Sequence, residues 1–406
     1  MGTRALNATT DVSVDFDRLI ARDGTASVKH DGRAAVFGTD AVTPLWVADM
    51  DFAAPPAVLD ALAARAAHPV FGYSLYPDGA FDALTGWLAT RHRWSVARES
   101  VLMCPGVVPT LYAAVQAFAA EGEGVIVQPP VYPPFFSAIR DTGRRVIENP
   151  LLECDGRWTL DLDHLERCAA DGAKLLLLCS PHNPVGRVWS HEELEGMLGV
   201  ARRHGLVVLA DEIHHDLIYP GHTHIPLATL AQPGDRIVTT VAPSKTFNIP
   251  GLGLSALIAD DAERRAIENV FGRLHVSASN PFSVAAFEAA YRDGGPWLDA
   301  LMRYLDTTRD EVIDRITRTM HGIHPVAPEG TYLMWLDCRG LGLDDSTLRD
   351  FFIRDAGLGL NPGISFGTGG SGHMRLNLAS PRPVIRSALD RLDTALRARP
   401  HDSLRQ

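Results

Sequence analysis

The chain has 406 residues, 46% of them hydrophobic and 21% charged, with a formal net charge of −11. That length allows a full core and two or three domains, the acidic balance argues against a nucleic-acid partner, and no apolar run reaches the ~20 residues of a membrane helix. Five scattered cysteines without a CxxC pair offer neither a disulfide framework nor a zinc site. Residues 1–10 lack the apolar stretch of a signal peptide and Leu6 breaks the myristoylation pattern, so the expected setting is the cytoplasm.

In chain order the pattern predicts a strand over 101–104, a helix over 108–120, a strand over 124–128, a helix over 134–141 and a strand over 145–149. A helix over 161–170 leads to a strand at 174–179, and a helix over 192–204 to strands at 206–210, 236–241 and 254–259. Short apolar runs separated by helices mean an α/β fold with a mostly parallel seven-stranded sheet covered on both faces. From 296 to 320 the residues Trp297, Leu301, Leu305, Thr308, Val312, Ile316 and Met320 recur at helical spacing, as a core-facing stripe. A strand at 332–337, a helix at 346–356, a strand at 374–377 and a helix at 383–398 then form a smaller α+β C-terminal domain. The expected division is an arm over 1–50, a large domain over 51–292 and a small domain over 293–406.

Three residues follow three successive buried runs: Asn183 after 175–179, Asp211 after 205–210 and Lys245 after 236–241. Ligands in such sheets bind beyond the carboxyl ends of the strands. A lysine that can form a covalent bond to an aldehyde, an acid beneath a ring nitrogen and an amide for a ring hydroxyl are what pyridoxal phosphate (PLP) requires. Each has a plainer alternative: a solvated loop lysine, an aspartate capping a helix, a turn asparagine between prolines. Gly106, Val107 and Val108 link a strand to a helix whose free N–H groups suit a phosphate, and Ser244 could add a hydroxyl. Tyr132 ends the next strand, where it could stack on a ring or lie at the surface. Arg375, in a late apolar strand, needs either a substrate carboxylate or an internal acidic partner.

Two further patterns are set aside. The run from Gly367 to Gly372 fits GxGxxG but opens no helix, so it reads as a flexible loop. His214, His215, Asp216, His222 and His224 resemble metal ligands, but adjacent histidines in a strand point to opposite faces, and no metal is expected.

The motifs Asp49-Met50-Asp51-Phe52, Asp211-Glu212-Ile213-His214, Ser244-Lys245-Thr246-Phe247-Asn248, Asn361-Pro362-Gly363 and Arg375-Leu376-Asn377 give the chain a clear likeness. It resembles the PLP-dependent fold-type I (aspartate aminotransferase-like) superfamily, in its cystathionine β-lyase or C–S lyase branch. The resemblance implies Lys245 as the cofactor lysine, Asp211 as the pyridinium partner, Asn183 and His214 as groups toward the ring oxygen, and Tyr132 stacked on the ring. It further implies Arg375, with Asn183, Asp49 and Tyr132, around the substrate, and a homodimer in which Tyr73 reaches the neighbouring site. The activity implied is β-elimination from an L-cysteine thioether, with an aminotransferase as the alternative. The chain departs from the superfamily at Ala242, where a phosphate-binding serine or threonine is usual, at Gly253 in place of an arginine, and at Lys29-His30 where the branch often has Lys-Trp.

Overall fold

The computed structural model describes residues 14–154, 156–277 and 280–399; the reading of residues 1–10 therefore lies outside the described residues. Seven strands form the main sheet: β1 Val101–Cys104, β2 Gly124–Val127, β3 Arg145–Glu148, β4 Ala173–Cys179, β5 Val207–Asp211, β6 Arg236–Val241 and β7 Ser255–Ala259. Their order is β1-β7-β6-β5-β4-β2-β3, parallel throughout except that β7 runs antiparallel to both neighbours. β5 is buried at every position and β4 at all but Lys174, because helices cover both faces.

Local chemistry sets the boundaries. The helix His191–His204 before β5 opens on a capping box, Ser190 with Glu193, and stops at Gly205 in the left-handed conformation. Register then brings the functional ends together: Cys179 lies opposite Asp211, and Asp211 opposite Thr240. β4, β5 and β6 thus finish side by side, with Asn183, Asp211 and Lys245 at or just beyond their ends.

The second body is built on an antiparallel sheet of β8 His324–Val326, β9 Leu333–Asp337, β10 Asn361–Pro362 and β11 His373–Asn377, in the order β8-β9-β11-β10. The arm joins it, since Thr43–Pro44 pairs in parallel with Leu358–Gly359. The helix Gly295–Thr319 serves both bodies. Trp297, Leu301 and Leu305 pack into a core with residues of the large sheet's side, while Val312, Ile316 and the following Met320 pack with β9 and β11. The helix expected over 346–356 divides into an α-helical turn, Asp345–Asp350, and a π-helical one, Phe351–Asp355. Among the described residues no helix is long and apolar enough to cross a membrane.

The glycine loop before β11 opens no helix, as expected, but it is not slack. A Cβ on Gly370 would lie 2.0 Å from the Gly363 carbonyl oxygen, so two backbones abut there. Gly370→Ala is expected to destabilise the protein by about 3 kcal/mol or more, measured as a lowered midpoint of denaturant unfolding.

Candidate active site

A cavity of about 240 Å³ opens at the carboxyl ends of β4, β5 and β6. Lys245, Asp211, Asn183, Tyr132, His214, Ser244, Gly106, Val107 and Val108 all line it. Ala242 and Gly253 line it too, without a polar side chain.

The helix Val107–Phe118 points its N-terminus into the cavity. Its N-cap, Gly106, has φ of 139°, a region other residues rarely adopt, and no side chain caps the first turn. The amides of Val107 and Val108 are thereby left for an anion, and Pro109 has none to offer.

Asp211 ends β5 with its carboxylate buried. No helix follows it; its Oδ1 accepts the N–H of Ile213 at 3.1 Å in a turn. The neighbouring Glu212 faces away, accepting from Leu227 N–H and pairing with His224. Burial, opposed by the Ile213 N–H and the Lys245 charge, raises the Asp211 carboxyl to about 7. His214 and His215 also lie in this turn rather than in a strand, and they still face opposite ways. His214 faces the cavity, and burial followed by the charges of Lys245 and Arg375 holds it well below its ordinary value, so it is neutral. His215 turns toward Asp216 and His92, and these three are close enough to share an ion. Asp216, however, also accepts hydrogen bonds from Trp87 and Thr246, which makes the group a hydrogen-bonded cluster.

Lys245 sits on the single helical turn Pro243–Thr246, and its Nζ donates to the Ala48 carbonyl at 2.6 Å. Tyr332 donates to the same oxygen at 2.8 Å. Burial lowers the Lys245 amine to about 8, with Arg375 pushing the same way and Asp49 and Asp211 opposing. The plainer reading, a solvated loop lysine, does not hold.

Arg375, on β11, is buried beside this cavity. It donates to Asn183 Oδ1 at 2.9 Å, to the Trp46 carbonyl at 2.9 Å and to Asn361 Oδ1 at 2.7 Å. Among the described residues it forms no ion pair, and its Nε has no partner. The internal acidic partner considered from sequence is absent among them, and burial lowers the guanidinium to about 10.

Two expected residues lie elsewhere. Asp49 lines an adjoining groove and is held by Arg22 at 2.8 Å, with Lys29 at 3.5 Å. Tyr73 is fully exposed and does not line the cavity of its own chain. Sequence reasoning missed Ala48 and Tyr332. Ala48 acts through its backbone, which leaves no side-chain signal, and Tyr332 read only as the start of a strand.

The family described as aminotransferase class I and II matches residues 41–392. The chain belongs to that family. Cystathionine beta-lyase PatB of Bacillus subtilis is 42% identical, over 94% of this chain and all of its own length. Protein MalY of Escherichia coli is 35% identical over 95% of the chain and 99% of its own. Among solved structures of the family, cystalysin from Treponema denticola, which contains a pyridoxal 5'-phosphate cofactor, superposes with a TM-score of 0.92 at 36% identity, covering 95% of this chain and 99% of that one. The aspartate aminotransferase-like α/β fold is thus the family's own.

The raised carboxyl of Asp211 has a sign that can be measured. A group held above its unfolded value favours the folded state while protonated, and that contribution is lost as pH climbs from 3.8 through about 7. In cofactor-free protein, Asp211→Asn is expected to gain stability relative to the parent across that window, read from thermal unfolding of the pair at matched pH.

Proposed function

We propose that the protein is a PLP-dependent carbon–sulfur β-lyase acting on L-cysteine thioethers. The observation that carries the reading is a desolvated lysine amine lining a cavity beside which lies a buried arginine that forms no ion pair among the described residues. The cavity fits the cofactor by donor chemistry. Uncapped amides at Val107 and Val108, with Ser244, would hold the phosphate; Asp211 would pair with the ring nitrogen; Asn183 and His214 would meet the ring oxygen; and Tyr132 would flank the ring. With neither Ala242 nor Gly253 offering a polar group, the phosphate depends chiefly on those amides. When bound, PLP supplies an aldehyde carbon for amine exchange and a ring that draws negative charge from the substrate α-carbon.

The protein's own groups do the rest. Arg375, already oriented by Asn183 and Asn361, grips the α-carboxylate and so fixes the α-carbon. Lys245, with its amine near 8, takes the α-proton at neutral pH. The Cβ–S bond then breaks, and sulfur leaves with the bonding electrons. Thioether and water become thiol, pyruvate and ammonia.

The lyase reading is supported by the names of the relatives, PatB being a cystathionine beta-lyase and a Staphylococcus hominis neighbour a C–S lyase. Tyr73, with the exposed Val70, Phe71 and Leu75 beside it, supports a homodimer in which Tyr73 enters the cavity of a second copy. All five cysteines are unpaired, which supports a reducing, cytoplasmic setting.

Purified protein given an S-substituted cysteine is expected to release thiol and pyruvate in equal amounts without any added keto acid; a requirement for keto acid would favour the aminotransferase reading. Lys245→Ala is expected to be colourless and inactive, scored by visible absorbance. Arg375→Lys, which keeps charge but loses the planar fork, is expected to lower kcat/KM roughly a hundredfold.

A further inference from the structure

A buried acid that the reaction itself does not use touches the helical turn of Lys245 through Thr246. Asp216 follows Asp211 by five residues, and its side chain is 1% exposed. Its Oδ1 accepts from Trp87 Nε1 at 2.9 Å and lies 2.7 Å from His92 Nε2. Its Oδ2 accepts the Thr246 hydroxyl at 2.8 Å and lies 3.1 Å from His215 Nε2. His215 is itself fixed through Nδ1 to the Glu212 carbonyl at 2.6 Å. Burial alone would push the Asp216 carboxyl up, but His215 and His92 draw it well below its ordinary value, while His215 is raised. The carboxylate is therefore a buried anion with partners on both oxygens.

The helix that carries Lys245 needs such an anchor. It is a single turn, too short to be held by its own hydrogen bonds. On its downstream side Asn248, in the left-handed conformation, donates to the carbonyls of Met50 and Phe52 and accepts from Met50 N–H. On its other side Thr246, fully buried, reaches Asp216. The turn carrying Asp211 and His214 is thereby tied to the lysine by one carboxylate, which also grips the helix Asp78–His92.

We propose that Asp216 is a positioning residue for the reaction: by accepting the Thr246 hydroxyl, it holds the one-turn helix of Lys245 in register with the turn of Asp211 and His214. The inference rests on Lys245 being the cofactor lysine. Proton transfer from a substrate fixed at Arg375 depends on where that amine stands, to well under an ångström. Loosening its backbone should therefore slow the chemical step more than it weakens substrate binding.

The test is a pair of substitutions in the holoenzyme. Thr246→Val keeps the shape and removes the hydroxyl, whereas Thr246→Ser keeps the hydroxyl. The valine variant is expected to lose about tenfold in kcat with KM within about twofold, and to change the visible circular dichroism of the bound cofactor. The serine variant is expected to restore both. Asp216→Asn should show the same change in circular dichroism; if it does not fold, the Thr246 pair decides alone. A valine variant with parental kcat and circular dichroism would overturn the proposal, as would equal impairment of both Thr246 variants, which would trace the loss to packing. Lys245→Ala run alongside separates the two readings: retained colour and activity there would remove the lysine's role itself, whereas loss there with an unaffected valine variant removes only the positioning role.

Discussion

Desolvation of charge at one end of the main sheet is the constraint on which the site depends. Lys245, Asp211 and Arg375 are enclosed together, and none of them forms an ion pair among the described residues. Isolated buried charges are unfavourable, and proteins normally neutralise or pair them. Here the lysine and the acid are both brought toward neutrality, to about 8 and about 7, while the arginine remains a cation. The rest of the fold must supply the stability that these groups withhold, and the nearly uninterrupted burial of β4 to β7 does so.

The segment from Trp46 to Phe52 is how the second body reaches the site. Its Trp46 carbonyl holds Arg375, its Ala48 carbonyl holds Lys245, and its Met50 is fastened on Asn248. That segment is in turn locked by a charge cluster. Arg22 and Lys29 bind Asp51 at 2.7 Å each, Arg22 also binds Asp49, and His30 lies 3.2 Å from Asp51. Lys29 is entirely buried, so its ammonium depends on these acids. The Lys29-His30 departure therefore falls within the scaffold of the site: His30 adds a polar contact to Asp51 and leaves the lysine's pairing intact.

Much of this was legible because buried strands announce themselves. All seven strands of the main sheet were readable as short apolar runs, and the residues just past 179, 210 and 241 stood out because a polar group at the end of such a run has few structural uses. The helices Pro56–Ala67 and Asp78–His92 gave no comparable signal. The first is rich in alanine, which blurs the contrast between its faces, and the second mixes threonine and glycine into its stripe. The groups that act through the backbone, Ala48 and Trp46 above all, have no signature in side-chain chemistry. Asp216 and Thr246 were in plain view inside quoted motifs, but only the tertiary contact between them gives either a role.

Neither Ala242 nor Gly253 places a cation beside the cavity that Lys245 lines, and this bears on the lysine's chemistry. Where aspartate aminotransferases place an arginine, this chain has Gly253 with φ of 53°, and Ala242 adds only a methyl group. In the proposed reading an anion in the cavity would be held by the Val107 and Val108 amides with Ser244, whose partial charges are weaker than a guanidinium's. That arrangement spares Lys245 a like charge. Arg375, beside the cavity, already depresses its amine, and an arginine lining the cavity would depress it more. A base is most useful when its pKa lies near the working pH. Burial, with Arg375 adding to it, leaves the Lys245 amine near 8, close to that pH.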